Sequence, residues 1–214
     1  MNYYNQKTKV TASIIGFLLG MAGFLNHGIF EILQGNNPTN GLYIEAIGKE
    51  HRFWLYGTEG AFTLILNFLI TGIFVLLVSI CIVIWSIRYI HLKHGANIFL
   101  GLLILLTLVG GGIGHIVLYL PAWGYITRIN KPLSWWQKKM SKKVRVVLGK
   151  IWTPMIILTS VSWLIVMELG IFGFFPGLTD PEIVLNICFG FVILTVFFAN
   201  LSFICGIARD IEDR

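Results

Sequence analysis

NIFLGLLILLTLVGGGIGHIVLYL, residues 97–120, carries no Asp, Glu, Lys or Arg and is interrupted by one triplet, Gly110-Gly111-Gly112. How this stretch is read decides the fold. About 20 apolar residues make one helical crossing of a bilayer, so it is long enough to span. Glycine weakens a helix by about 1 kcal/mol per residue relative to Ala, and non-helical backbone is tolerated at membrane depth where protein shields it. The same residues therefore also fit a re-entrant hairpin that turns back at the triplet. A charge-free run of this length more often forms a full span, and that is the expectation.

Four further apolar stretches, about 10–33, 57–87, 151–174 and 183–208, are each long enough to cross a bilayer. Together the five predict an all-α, polytopic membrane helical bundle with five transmembrane helices, a single integral membrane domain over residues 1–214. Composition agrees. The chain is 56% hydrophobic and 12% charged, with a mean hydropathy of +0.79, whereas soluble domains carry about a quarter charged residues. The longest connection, residues 121–150, cannot build its own core, since unaided folding usually needs more than about 40 residues. The first stretch follows Lys7 and Lys9 and contains Met21-Ala22-Gly23. Its run is nevertheless too long for the apolar region of a cleaved signal peptide and continues into a patterned helix.

A net charge of +6 would suggest nucleic acid in a soluble protein, but half of the Lys and Arg lie in residues 121–150. That placement predicts a cytoplasmic loop and no nucleic-acid partner. Five full spans put the termini on opposite sides. With the N-terminus outside, the basic residues divide 12 inside to 4 outside, so the C-terminus is expected to be cytoplasmic in a multi-pass cell-membrane protein. A hairpin at 97–120 instead puts both termini inside and divides them 14 to 2. Cys81, Cys188 and Cys205 have no CxxC spacing and fall in apolar stretches, as small hydrophobes do.

Within the basic connection, Ser134-Trp135-Trp136-Gln137 fits a capping box. Trp136, Met140, Val144, Val147 and Ile151 then line one helical face, opposite Lys138, Lys139, Lys142 and Arg145. This predicts a short interfacial amphipathic helix over about 134–150. Trp135, Trp136, Lys138, Lys139, Lys142 and Arg145 would contact the headgroups of anionic lipids.

Chemistry is sought where polar residues interrupt the apolar stretches. Gly16, Gly20, Gly23, His27 and Glu31 share one face of the first helix, and Gly16-x-x-x-Gly20 lets a neighbour approach closely. Glu59, Thr63, Asn67 and Thr71 follow at steps of four along the second stretch, and Thr107, Gly111 and His115 along the third. Ionisable groups inside a membrane are costly and are read as functional by default. His27, Glu31, Glu59 and His115 lie at one estimated depth, on the side predicted to be cytoplasmic, with Asn67 nearer the midplane. They form the candidate ligand or proton site.

Three functions fit that group. His27, Glu31, Glu59 and His115 would bind a metal, or a small lipid-like ligand, imidazole and carboxylate suiting zinc or non-haem iron in an intramembrane enzyme on a lipid or quinone-like substrate. His27 and His115 would alternatively be the axial ligands of a b-type haem. Or Glu31 and Glu59 would carry protons in a transporter or channel-like protein, with the glycine triplet as a broken-helix binding point. A non-catalytic subunit of a membrane complex, or a homo-oligomer, is the plainest alternative. No soluble-enzyme motif such as G-x-S-x-G, a P-loop or H-E-x-x-H occurs. If 97–120 is a full span, the four residues converge in one pocket. Under the hairpin reading, His115 is expected to part from His27 and Glu31.

Overall fold

A computed structural model describes residues 4–214. In chain order its elements are helix α1 (Gln6–Leu33), strands β1 (Tyr43–Glu45) and β2 (Gly60–Phe62), and helices α2 (Phe68–Tyr89), α3 (Gly95–Leu108) and α4 (Ile116–Ile126). Helices α5 (Ser134–Lys139), α6 (Lys142–Lys150), α7 (Trp152–Phe172) and α8 (Pro181–Glu212) complete the fold. Four of these, α1, α2, α7 and α8, are long and apolar enough to cross a membrane. Their outward faces carry exposed Leu77, Ile80, Leu164, Ile193 and Phe197, as lipid-facing surfaces do.

The stretch 97–120 is not one helix. It folds as α3 and α4 joined by a turn in which Gly110 and Gly112 hold φ of 115° and 87°, a region that glycine adopts without steric cost. The helices run antiparallel. Trp123 donates from Nε1 to Asn97 Oδ1 at 3.3 Å, while the Thr107 and Tyr119 hydroxyls meet at 3.5 Å beside the turn. At about 1.5 Å per residue, α3 and α4 are about 21 and 17 Å long. The expected full span is thereby replaced by a hairpin.

The hairpin reorganises the whole bundle, which becomes six antiparallel legs with two distinct ends. At one end, here the basic end, Asn5 N–H bonds the Ile129 carbonyl, the N–H groups of Lys7 and Thr8 bond Asp210, and Arg145 pairs with Glu212. At the other, the site end, Leu64 N–H bonds Leu108 O and Trp54 Nε1 bonds Gly170 O. Lys7 and Asp210 are hydrogen-bonded partners. The expectation that the termini lie on opposite sides is therefore corrected.

Two helix pairs build the core. The glycine face of α1 packs on α2, as its spacing predicts. A Cβ at Gly20 would meet Val83 Cγ2 at 2.6 Å, and one at Gly23 would meet Ser79 Oγ at 2.6 Å. Helices α7 and α8 are joined by a seam of hydroxyls, with Thr159 to Ser202 and Thr195 to Ser162 both at 3.0 Å. Local signals close the ends. Asn67 caps α2 by accepting from Ile70 N–H, Asp180 caps α8 ahead of Pro181, and Gly173 ends α7 at a φ of 62°.

Two local expectations change. Residues 57–67 are not the first turns of a helix: β2 pairs antiparallel with β1, and the helix begins after its Asn67 cap. Residues 134–150 are two short helices broken at Met140, the second capped by Ser141, and Ser134 makes no capping bond. Trp136 and Met140 pack against Leu133, Ile207 and Ile211, whereas Val144 and Val147 are exposed. The single amphipathic face predicted for 134–150 is thus divided.

Candidate metal centre

His27 sits in a π-helical turn, Gly23–Gly28, inside α1. Such one-turn widenings of an α-helix occur frequently at functional sites. The turn leaves His27 wholly buried, with Nε2 toward the β-ribbon and the hairpin and Nδ1 toward Glu31 one turn on. Glu59, just ahead of β2, meets it: His27 Nε2 is 3.2 Å from Glu59 Oε2. The other carboxylate oxygen, Oε1, accepts the Gly114 N–H at 3.1 Å.

His115 completes the group from the start of α4. Its Nδ1 lies 2.9 Å from the Gly111 carbonyl, which can only accept. Neutral His115 therefore carries its proton on Nδ1 and keeps a lone pair on Nε2, the tautomer that binds a metal. The two imidazoles stand edge to face with centroids 5.7 Å apart. One ligand atom from each of His27, Glu59 and His115 falls within 4.8 Å of the others.

The glycine turn is shaped by these side chains. A Cβ at Gly112 would lie 2.5 Å from His27 Nε2, and one at Gly110 would lie 2.9 Å from Glu31 Oε1. Close approach and positive φ coincide at both positions, so the triplet is the floor of the site as well as the break in the helix. This also explains why a hairpin does not split the group. His115 follows Gly112 by three residues and stays at the apex, on the level of His27.

Burial opposes ionisation of the Glu59 carboxyl, but the His27 hydrogen bond, the nearby imidazoles of His27 and His115 and the Gly114 N–H outweigh it. They hold the group well below the usual carboxylate range. Glu31 stands apart. It is completely buried, its Oε1 is 3.9 Å from His27 Nδ1, and neither its two oxygens nor that nitrogen has a hydrogen-bond partner among the described residues. Glu31 thus backs His27 rather than joining the three-residue cluster.

Asn67 is not in the site. Its Oδ1 caps α2 and its Nδ2 donates to Asn36 at 2.8 Å, so the stripe Glu59, Thr63, Asn67, Thr71 does not exist as a helical face. Thr63 and Thr71 instead share the Ile65 carbonyl beside the hairpin. Of the predicted headgroup contacts, Arg145 is committed to Glu212 at 2.6 Å and to the Met140 carbonyl. Trp135, Lys138, Lys139 and Lys142 are exposed.

Sequence reasoning missed the wall that α7 and α8 give the site. A cavity of about 100 Å³ beside Glu59 and His115 is lined by Asn26, Leu118, Trp163, Met167 and Thr195 among others. Trp163 and Met167 are ordinary residues of an apolar helix, and nothing local marks them. Comparison with known protein families, with curated proteins and with solved structures finds no match for this chain.

Proposed function

We propose that this protein is a membrane-embedded metalloprotein in which His27, Glu59 and His115 hold one divalent ion, zinc or ferrous iron, beside a cavity for an apolar, lipid-like substrate. The observation that carries the reading is the meeting of two imidazoles and one carboxylate, from three separate segments, within 4.8 Å. Ligand atoms on one ion at about 2.1 Å and tetrahedral angles are about 3.4 Å apart. The 3.2 Å between His27 and Glu59 already fits. Two His and one carboxylate are also a recurrent catalytic set that leaves positions open for water and substrate.

The surroundings support it. The Gly111 carbonyl orients His115 through Nδ1, the Gly114 N–H fixes Glu59, and Glu31 lies opposite Nδ1 of His27, where an outer-shell carboxylate aligns a ligating imidazole. A bound ion of this kind activates water or polarises an ester or carbonyl oxygen. The apolar wall of Leu118, Trp163 and Met167 favours a substrate with a hydrocarbon body and a polar group reaching Glu59 and His115. The haem reading finds no such support. Pockets for organic ligands measure about 300–1,000 Å³, and Gly112 closes directly on His27.

Orientation follows from charge. The basic end gathers 14 of the 16 Lys and Arg and the site end keeps Lys49 and Arg52. By the positive-inside rule both termini are cytoplasmic and the metal site faces the outer side of a cell membrane, opposite to the side predicted from five spans.

One observation favours a second reading. Glu31, buried and without a hydrogen bond, leads through His27 to Glu59, an order suited to moving a proton.

Metal analysis of the purified chain tests the two. About one equivalent of zinc or iron, lost in His27→Ala, Glu59→Gln and His115→Ala, supports the metal centre. No retained ion after loading with either metal, in protein that melts cooperatively, overturns it and leaves the proton path.

A further inference from the structure

A second cavity is remote from the metal centre. It measures about 690 Å³ and lies at the basic end, where Tyr125 of α4, Arg128 and Lys131 of the following turn, Trp135 and Trp136 of α5, and Asn200 of α8 surround it. We infer that this cavity binds the headgroup of an anionic phospholipid of the cytoplasmic leaflet. Its phosphate would meet Arg128 and Lys131, and its glycerol and first methylenes would meet the aromatic wall.

The cations are positioned and unpaired. Asn5, fully buried, donates its Nδ2 to the carbonyls of both Arg128 and Lys131, at 2.6 and 3.0 Å, which fixes the backbone that carries them. Neither side chain forms an ion pair among the described residues. The acidic groups at this end are engaged elsewhere. Asp210 holds Lys7 and Thr8, Glu212 holds Arg145, and Asp213 lies 3.7 Å from Arg209. The cavity mouth therefore keeps two positive charges that no side-chain carboxylate among the described residues pairs with.

The walls suit an amphiphile. Tyr125 stacks on Phe203 with centroids 4.8 Å apart and leans on Trp136 at 6.2 Å, and Trp135 stands edge-on to Trp136 at 5.0 Å. Rigid aromatics with a polar edge are the residues that favour the headgroup level of a bilayer. A free phosphate would have no use for them. Basic pockets between membrane helices on the cytoplasmic side are a known way of holding lipid headgroups. The lysines predicted for this role, Lys138, Lys139 and Lys142, do not line the cavity, and Arg145 is held by Glu212.

The test uses the full chain in phosphatidylcholine vesicles containing spin-labelled phosphatidylglycerol or spin-labelled phosphatidylcholine, and reads the immobilised fraction of each. The wild type is expected to prefer phosphatidylglycerol, and Arg128→Gln with Lys131→Gln to lose about fivefold of that preference per cation. The exchange Arg128→Lys with Lys131→Arg, which keeps the charge, should retain it and shows that the chain still folds. Lys138→Gln, Lys139→Gln and Lys142→Gln combined should leave it largely intact. Equal loss in that triple variant would reduce the effect to surface charge and overturn the proposal. So would an unaffected double variant, or displacement of the labelled lipid by inorganic phosphate alone.

Discussion

Asp210 and Glu31 are both buried carboxylates, at opposite ends of the bundle, and they are treated in opposite ways. Asp210 accepts three hydrogen bonds, from Lys7 N–H, Thr8 N–H and Thr8 Oγ1, and so caps α1, which has no side-chain cap of its own. Glu31 accepts none and faces the equally unpartnered Nδ1 of His27 at 3.9 Å. A buried polar group without a hydrogen bond costs free energy that folding alone does not recover. At the basic end Asn5, Asp210 and Arg145 tie the legs together, while Ser86 Oγ and His91 Nδ1 there have no hydrogen-bond partner among the described residues. At the site end the buried polar atoms of His27 Nδ1 and Glu31 face one another without hydrogen-bond partners among the described residues.

The greatest losses are expected at the three ligand positions. His27→Ala, Glu59→Gln and His115→Ala should each abolish stoichiometric metal binding, measured by elemental analysis, while leaving a cooperative melt. If binding survives in His115→Ala, the cluster is not the metal centre. Metal affinity should also fall as the pH drops, because a protonated imidazole has no lone pair to give the ion. Gly112→Ala follows in size. It places a Cβ 2.5 Å from His27 Nε2 at a φ of 87° and should cost about 2 kcal/mol or more along with the metal. Gly101→Ala, whose Cβ would meet nothing within 4 Å in α3, should be neutral or stabilising by thermal melt.

The α1 half of the site is legible in the sequence because helical spacing alone puts Gly20, Gly23, His27 and Glu31 on one face. The other half is not. Glu59 is picked out as a charge in an apolar stretch, but its supposed helix is a strand and a turn. Asn67, read as part of the same stripe, is the cap that starts α2, a signal present in the uninterrupted apolar run after it. The hairpin is harder still, since apolar residues fit one crossing or two half-length legs equally well. What selects the hairpin is long-range: Glu31, His27 and Glu59 press on Gly110, Gly112 and Gly114 from elements far away in sequence. The division of basic residues, 14 to 2, already pointed that way.

At the basic end, Asp210→Ala should destabilise the protein without touching the metal. It removes three hydrogen bonds to a charged acceptor and strands the N–H groups of Lys7 and Thr8, which predicts a loss of about 2–4 kcal/mol. Unchanged metal content in whatever fraction remains folded is the second half of the expectation. A drop in metal per folded chain would show that the two ends are coupled and that the contrast between them is not one of role.

Glu31→Gln carries the smallest change in stability and separates the two ends most directly. Glutamine keeps the shape of the side chain, and there is no hydrogen bond to lose, so the melting free energy should move by no more than about 1 kcal/mol, in either direction. Its effect on the metal is expected to be larger. A carboxylate facing Nδ1 of a ligating histidine fixes the ring and raises its basicity, and removing such an outer-shell partner costs about 10–100-fold in metal affinity. A competition titration against a chromogenic chelator reads that factor directly. The profile to be found is therefore the inverse of Asp210→Ala: near-native stability with weakened metal binding. If Glu31→Gln instead leaves affinity unchanged, the 3.9 Å gap to His27 is not closed in the loaded protein. Glu31 would then serve the proton path and not the metal.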